Sequence, residues 1–170
     1  IMPYNSYGIK NNEEEEYIPI PQSLFIDENF FQMFDFPIIQ GEIDSSVLNW
    51  IVVTRNYAKQ HFGSQNPIGG TVFIKDLSSE KDYGCVARIV ALIEDLPANS
   101  SIQSDIFIDS RVISKNRDIL YWGCCSSYTY LQLASTADLS VVERMIPEMI
   151  EKNNSYLKAN EYKCQLHPLT

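Results

Sequence analysis

The sequence has few basic residues. Its 170 residues include 13 Lys and Arg against 22 Asp and Glu, so the formal net charge is −9 at pH 7. A nucleic-acid-binding surface neutralises phosphates with Lys and Arg, and an anionic lipid surface attracts the same side chains. The charge balance therefore argues against nucleic acid as a partner and against a peripheral protein of anionic membranes.

Long apolar runs are also absent. The longest, around Ile89–Ile93, has the length of a strand, whereas a helix that crosses a bilayer needs about 20 apolar residues. The N-terminus lacks the basic, apolar and small-residue order of a signal peptide. It begins Ile1-Met2-Pro3, without a methionine in first place, so we expect a domain taken from a larger protein.

Cysteine is scarce and poorly spaced for metal binding. The cysteines are Cys85, Cys124, Cys125 and Cys164, and no C-x-x-C pair occurs. An adjacent pair suits neither tetrahedral zinc nor a redox-active dithiol. Because a chain of this length does not need disulfides to build its core, the side chains are interpreted as buried or half-buried thiols. A disulfide from Cys85 or Cys164 to the adjacent pair stays open at this point.

The sequence patterns of nucleophilic catalysis are missing too. No G-x-S-x-G occurs, and neither His61, on a predicted helix face, nor His167, before Pro168, is spaced for a catalytic group. Glu94 and Asp95 are adjacent at a strand end, and adjacent strand side chains point to opposite faces. We therefore predict no catalytic, cofactor-binding or metal-binding residue and no enzymatic activity.

Residues 63–71, Gly-Ser-Gln-Asn-Pro-Ile-Gly-Gly-Thr, look like a phosphate-binding loop only superficially. Gly70 stands where that motif has its lysine, and a predicted helix precedes the loop while a strand follows it. The phosphate-binding motif has the opposite order, because the amides of a helix N-terminus must point at the phosphate. This segment is therefore interpreted as a turn.

The elements that are present indicate an α+β domain with a mixed sheet and short helices. The hydrophobic fraction of 45% and the charged fraction of 21% are ordinary for a folded domain. Strand patterns cover residues 38–39, 47–53, 71–74, 83–94, 104–109, 127–133 and 162–170. Strands of uneven length with helices between them favour a mixed sheet over a regular doubly wound fold.

Two short helices are predicted from their caps. Asp27 is placed to cap a helix with an aromatic face, and Thr54 to cap a second helix that ends at Gly63. The aromatic face consists of Phe30, Phe31 and Phe34, which are interpreted as core residues.

The strongest helical pattern begins at Leu139 and ends before Asn153-Asn154. Ser140 and Glu143 have the spacing of a capping box. Pro147 is expected to kink or restart this helix, because proline removes a backbone donor.

The first 16 residues are polar and end in four consecutive glutamates, Glu13–Glu16. Like charges repel one another and stay solvated, so segment 1–16 is predicted to be mobile and to lie outside the core.

Four segments follow one another in a recognisable order. They are Asp27-Glu-Asn-Phe-Phe-Gln-Met-Phe-Asp-Phe-Pro-Ile-Ile-Gln-Gly41, the stretch from Ile51 through Phe62-Gly63 to Asn66-Pro-Ile-Gly69, Ile89-Val-Ala-Leu-Ile-Glu-Asp-Leu-Pro-Ala-Asn-Ser100, and Tyr128-Thr-Tyr-Leu-Gln-Leu133 with the terminal Leu166-His-Pro-Leu-Thr170. Together they resemble the extracytoplasmic domain of MacB-like and FtsX-like ABC transporter permeases, called the MacB-like periplasmic core domain. The resemblance covers about residues 24–170. Its motif positions are packing and turn positions, and none is a binding site.

The resemblance implies an α+β fold with a porter-like βαβ part and a second mixed α/β subdomain. It implies a domain over residues 17–170 whose middle, about 47–126, forms the second subdomain. The first strand of such domains is not evident in residues 1–16, so the domain is expected to be incomplete at its N-terminus.

The resemblance also implies a non-catalytic role in transport. Such permeases have four transmembrane helices, with this domain on the periplasmic side between the first and second, and a cytoplasmic ATPase hydrolyses ATP. The domain is expected to couple that hydrolysis to the movement of a periplasmic partner or substrate. The implied partners are the ATPase subunit, a periplasmic adaptor, lipoprotein or cell-wall hydrolase, and a second copy in a homodimer. The oxidising compartment favours a disulfide involving Cys124 or Cys125 more than composition alone does.

Two other functions stay open. A secreted glycan- or protein-binding module would expose an aromatic face made of Trp50, Trp122, Tyr128 and Tyr130. A hydrolase would bring a histidine next to Ser, Cys or carboxylate side chains from distant parts of the chain. The positions of the tryptophans and histidines in the structure test both.

Overall fold

The structure is a computed structural model of the chain. It describes residues 2–3, 7–20, 23–44, 46–78, 84–114, 127–154, 158 and 164–169. The chain divides into two compact units, residues 1–117 and residues 118–170, and each is described by itself.

A mixed β-sheet forms the first unit. Its strands within the described residues are β1 (Met2–Pro3), β2 (Tyr7–Lys10), β3 (Ile18–Pro19), β4 (Ser23–Ile26), β5 (Ile38–Gly41), β6 (Trp50–Thr54), β7 (Thr71–Asp76), β8 (Cys85–Ile93) and β9 (Ile106–Asp109). Their order across the sheet is β1-β4-β9-β6-β8-β7-β2-β3, and β5 pairs with β8. The pairs β4–β9 and β6–β8 are parallel and the others antiparallel. The predicted α+β class with a mixed sheet is confirmed.

Residues 7–10 correct the expectation of a mobile N-terminal segment. They form β2, which lies between β7 and β3, and Tyr7 and Ile9 are buried. The Tyr7 ring centroid lies 4.7 Å from that of Phe25 on β4. The glutamates follow β2 in an exposed turn, where the Asn12 side chain accepts hydrogen bonds from the amides of Glu14 and Glu15.

The strands of the middle of the chain share this sheet. The strands β6–β9, which lie inside the range 47–126, pair with β2, β4 and β5 from before it. The structure therefore divides the chain at residue 117, which differs from the expected subdomain boundaries.

Aromatic side chains cover one face of the central strands. The buried cluster contains Leu24, Ile26, Phe30, Trp50, Val52, Ala91, Ile93, Ile102 and Phe107. The Phe30 ring lies 5.5 Å from the Phe107 ring, and Phe31 and Phe34 pack at the margin of the cluster. Their predicted role in the core is confirmed. The helix α1 (Phe30–Met33) begins later than predicted, with Asn29 at its N-cap, because the Asp27 carboxylate instead accepts from the Asn29 amide in a turn.

The second helix, α2 (Arg55–Phe62), has the predicted ends. The Thr54 hydroxyl accepts a hydrogen bond from the Tyr57 amide, and Gly63 follows the last turn with φ of 60°. Tyr57 and Ala58 form its buried side. A one-turn helix, α3 (Arg111–Ser114), follows β9.

The second unit contains the helix α4 (Leu139–Asn153). Asp138 caps it and accepts hydrogen bonds from the amide and hydroxyl of Ser140, so the predicted capping box is wrong. Glu143 accepts from the Leu166 amide instead. The helix continues through Pro147.

Two predicted strands of the second unit are not formed. Residues 127–134 and 164–169 have no regular secondary structure. Among the described residues, no helix has the length and hydropathy of a membrane span.

Candidate functional site

The two histidines considered for catalysis belong to different units. His61 stacks on Tyr57 with ring centroids 4.1 Å apart, and His167 is exposed in the second unit. Within the described ranges, no group of His, Cys, Asp and Glu is arranged to hold a metal ion. Cys85 and Cys164 are half-buried thiols, whereas Cys124 and Cys125 lie outside the described residues. The absence of catalytic and cofactor-binding residues stays a prediction.

The glycine-containing loop at 63–71 uses its amides within the chain. The Gly69 amide donates to the Ile89 carbonyl oxygen at 2.8 Å, and the Gly70 amide donates to the Pro67 carbonyl oxygen at 3.0 Å. The side-chain oxygen of Asn66 accepts from the Ile68 amide. The Gly69 amide holds the loop against β8 and the other two close the loop on itself, as expected of a structural turn.

The two adjacent carboxylates anchor α2 to the end of β8. The Asp95 carboxylate accepts from the Asn56 amide at 2.8 Å, and Glu94 forms an exposed ion pair with Arg55 at 2.5 Å. A carboxylate near the first turn of a helix is stabilised by the helix dipole. The pair therefore has a structural role. Further along α2, burial and then the charge of Asp105 raise the pKa of Tyr57 above its ordinary value.

Asn49, Asp109 and Arg111 form a polar cluster that the sequence reading missed; we call it the clasp. The buried Asp109 carboxylate accepts from the Asn49 amide at 3.0 Å and from the Arg111 amide and Nε at 2.9 Å. Asn49 has φ of 58°, and its side-chain amide donates to the Val86 carbonyl oxygen at 3.1 Å. The only sequence signal was an acidic residue that ends the apolar run of β9.

The clasp holds the loop between β5 and β6. A nitrogen of the Arg111 guanidinium donates to the Val47 carbonyl oxygen at 3.0 Å, and hydrogen bonding to Asp109 raises the pKa of Arg111. The side chains of Val47 and Leu48 remain exposed beside it. The loop therefore presents two apolar side chains from a fixed backbone.

Trp50 does not have the exposure that the glycan-binding alternative requires. It is fully buried in the sheet, and among the described residues its indole nitrogen has no hydrogen-bond partner. Tyr128 is exposed and Tyr130 half-buried in the second unit. Trp122 lies outside the described residues. The alternative hypothesis of an exposed aromatic face that includes Trp50 is therefore not supported at this residue.

The strand β5 is an exposed edge, which we call the β5 edge and define as Ile38–Gly41. All of its residues are exposed, and Ile38 and Ile39 keep 48% and 39% of their surface accessible. Among the described strands it pairs with β8 alone, through Ile38–Ile93 and Gly41–Ala91. A Cβ atom on Gly41, which has φ of 84°, would lie 2.1 Å from the Val90 carbonyl oxygen, so only glycine allows this close approach.

The second unit also exposes apolar side chains. On α4 these are Leu139, Met145 and Met149, and before the helix they are Tyr128, Leu131 and Leu133. Both units thus offer apolar surface suited to contacts between macromolecules, and neither presents clustered catalytic groups among its described residues.

A sequence model of the MacB-like periplasmic core domain matches residues 1–149. The chain belongs to this family. The match begins at residue 1, in agreement with the position of β2 inside the sheet. No curated protein matches the sequence significantly.

Three solved structures have the same fold. A domain of a protein described as a permease from Porphyromonas gingivalis is 19% identical, with a TM-score of 0.58 over 90% of this chain and 68% of that one. The periplasmic region of MacB from Actinobacillus actinomycetemcomitans is 13% identical, with a TM-score of 0.54 over 86% and 63%. The extracellular domain of the ABC-type transporter YknZ from Gram-positive bacteria is 12% identical, with a TM-score of 0.58 over 91% and 73%. At these identities the likeness shows the fold alone, and the chain spans roughly two thirds of each structure.

Proposed function

We propose that this MacB-like periplasmic core domain is the extracytoplasmic part of an ABC transporter permease. It couples ATP hydrolysis in the cytoplasm to the movement of a periplasmic partner or substrate. The observation that carries the proposal is the family match over residues 1–149. The fold it shares with periplasmic and extracellular transporter domains supports the same role.

The packing of the first unit supports a mechanical role. The strands β4, β6 and β9 are buried along their whole lengths, so the middle of the sheet is a densely packed layer. A layer of this kind transmits a displacement with little internal deformation. ATP binding then biases a two-state equilibrium at one end, and the partner responds to the same equilibrium at the other.

The proposed partners lie on both sides of the membrane. A cytoplasmic ATPase acts through transmembrane helices that flank the domain. A periplasmic adaptor, lipoprotein or cell-wall hydrolase receives the motion, and a second copy completes the transporter. The domain itself makes and breaks no covalent bond.

The first test is the reading frame that encodes the chain. We expect it to continue on both sides into segments of about 20 apolar residues, with an ATP-binding cassette gene fused to it or adjacent. A complete frame without flanking spans would contradict the proposal.

The second test measures coupling in the complete transporter. Spin labels attached through an unnatural amino acid at Gln60, on the exposed side of α2, report the distance between the two copies in proteoliposomes. We expect this distance to change between the nucleotide-free and the vanadate-trapped states. A hydrolysis-deficient ATPase that still binds ATP is the control and should not reach the trapped state. An unchanged distance in the active transporter would contradict coupling through this domain.

A further inference from the structure

The β5 edge is an open side of the sheet that nothing else in the described structure covers. Its four residues are exposed, and its backbone hydrogen bonds to β8 occupy only one side of the strand. An edge strand with exposed apolar side chains is a template for another strand, and proteins normally cover or charge such edges. Ile38 and Ile39 leave the middle of this edge apolar.

Hydrogen bonds on either side of the strand show which backbone groups face outward. The Pro37 carbonyl oxygen accepts from the Glu94 amide at 3.0 Å, and the Glu42 amide donates to the Val90 carbonyl oxygen at 3.2 Å, so both groups face β8. Successive residues of a strand alternate in direction, and Ile39 is the extra residue of a bulge. The N–H and C=O of one trans peptide unit point in opposite directions, so the Ile38 N–H and the Gly41 C=O point to the open side.

The charged residues around the β5 edge indicate which kind of strand can bind there. The segment from Asp35 to Asp44 contains three carboxylates, which are those of its two end residues and Glu42, and it contains no Lys or Arg. A second copy paired antiparallel about the centre of β5 would bring Asp35 opposite Asp44 of the other chain, and both chains carry a net charge of −9. Like charges at such positions are destabilising. A strand with Lys or Arg at its ends instead places positive charges opposite these carboxylates, which is favourable.

We propose that the β5 edge binds an extended segment of a partner protein by strand addition. The partner segment places apolar side chains against Ile38 and Ile39 and basic side chains near Asp35 and Glu42. Backbone hydrogen bonds to Ile38 and Gly41 supply the attachment, and the flanking charges supply the specificity. The inference rests on the proposed function, because it identifies a contact through which the domain engages its periplasmic partner.

The test uses the 170-residue chain and two synthetic peptides. The probe is acetyl-Lys-Lys-Thr-Ile-Thr-Ile-Lys-Lys-amide, and the matched control has Glu in place of each Lys. We expect at least tenfold tighter binding of the basic peptide at low salt, since opposite charges attract and salt screens them. At saturation, hydrogen exchange at the Ile38 amide should slow at least tenfold, which is a signature of strand addition. Equal binding of the two peptides, or unchanged exchange at this amide, would overturn the proposal.

Two variants separate the backbone and charge contributions. Ile38→Pro removes an outward-facing N–H and keeps the groups that face β8, so binding should weaken at least tenfold with an unchanged thermal midpoint. The double variant Asp35→Lys/Glu42→Lys leaves the apolar middle intact and should reverse the peptide preference. Ile18→Ala, which alters an exposed isoleucine on β3, should leave binding unchanged. Retained binding in Ile38→Pro, or a peptide preference that the double variant does not change, would overturn strand addition at this edge.

A second copy as occupant is a separate outcome. Dimerisation of the chain that Ile38→Pro abolishes, measured by analytical ultracentrifugation, would overturn the assignment to a basic partner. None of these results bears on coupling itself. A transporter in which ATP moves the domain while neither peptide binds overturns only the strand-addition proposal.

Discussion

The strands β5 and β6 are close in sequence and similar in composition, yet their environments are opposite. Both contain adjacent β-branched residues, Ile38-Ile39 in β5 and Ile51-Val52-Val53 in β6. Every residue of β6 is buried and every residue of β5 is exposed. The strand β6 lies between β8 and β9, whereas among the described strands β5 pairs with β8 alone. The position of a strand in the sheet, which local composition does not reveal, thus separates β5 from β6.

The largest expected effect is at the centre of the sheet. Phe107→Ala on β9, beside β6, removes a fully buried ring from the aromatic cluster and should lower the free energy of unfolding by about 3–5 kcal/mol. Phe36→Ala removes a partly buried ring at the margin of the same cluster and should cost clearly less. Urea unfolding of both variants measures the difference. Equal losses would mean that the centre is no more tightly packed than its margin.

The attachment of the edge depends on one glycine. Gly41→Ala forces a Cβ against the Val90 carbonyl oxygen and strains a residue with φ of 84°, so we expect a loss of about 3 kcal/mol. Gly63→Ala is the matched control, because Gly63 also has positive φ but has nothing within 4 Å of its Cβ position. Its expected cost is about 1–2 kcal/mol from the backbone alone, because φ of 60° with ψ of −117° is a conformation that residues with a side chain rarely adopt. Equal unfolding free energies for the two variants would contradict the close packing of β5 on β8.

The clasp ties the loop that links β5 to β6. Asp109→Ala leaves the Asn49 amide and the Arg111 guanidinium without their buried acceptor, and it should cost about 2 kcal/mol. Asp44→Ala is the control, because its carboxylate is exposed and accepts from the nearby Ser46 amide. Chemical denaturation compares the two. A loss for Asp109→Ala no greater than that for Asp44→Ala would show that the clasp does not stabilise the loop.

Local signals predicted well what local interactions decide. The helix α2 begins after Thr54 and ends before Gly63, as predicted, because a cap is formed by residues within one turn of the helix. The strand β2 was missed, because Tyr7–Lys10 is short and β7, the longer of its two partner strands, lies more than 60 residues away. The clasp was missed for the same reason, since Asn49 and Asp109 are 60 residues apart.

The alternating pattern at 127–133 shows the converse error. The period predicted a strand, but in the structure this segment has no strand assignment. Alternation identifies a segment that suits a sheet and does not supply a partner strand. The β5 edge was likewise predicted as a strand, but its exposure could not be predicted, because exposure is a property of the whole sheet.

The helix that follows β6 provides a pH test of burial. Burial and the charge of Asp105 raise the pKa of Tyr57 above 10.0, its ordinary value, so the folded state favours the neutral phenol. The stability from this group is complete below pH 10 and is lost as the pH rises through the folded-state pKa. At pH 11 the free energy of unfolding should be about 1.4 kcal/mol lower than at pH 8, because pH 11 lies one unit above the pKa of tyrosine in the unfolded chain. Urea unfolding at the two pH values measures this loss, and in Tyr57→Phe it should be smaller by that amount. An identical loss in the variant would contradict the burial of the phenol.

The smallest effect is expected at the edge itself. Ile38→Ala removes a half-exposed side chain from a strand with one neighbour, so the free energy of unfolding should change by less than about 0.5 kcal/mol. The matched substitution Ile108→Ala, on the fully buried β9, should cost about 2–5 kcal/mol. The same atoms are removed in both variants, so the difference between the two losses of unfolding free energy reports how fully the surrounding residues cover each side chain. A loss at Ile38 approaching that at Ile108 would mean that the isolated chain already covers its β5 edge, and the contrast between β5 and β6 would then disappear.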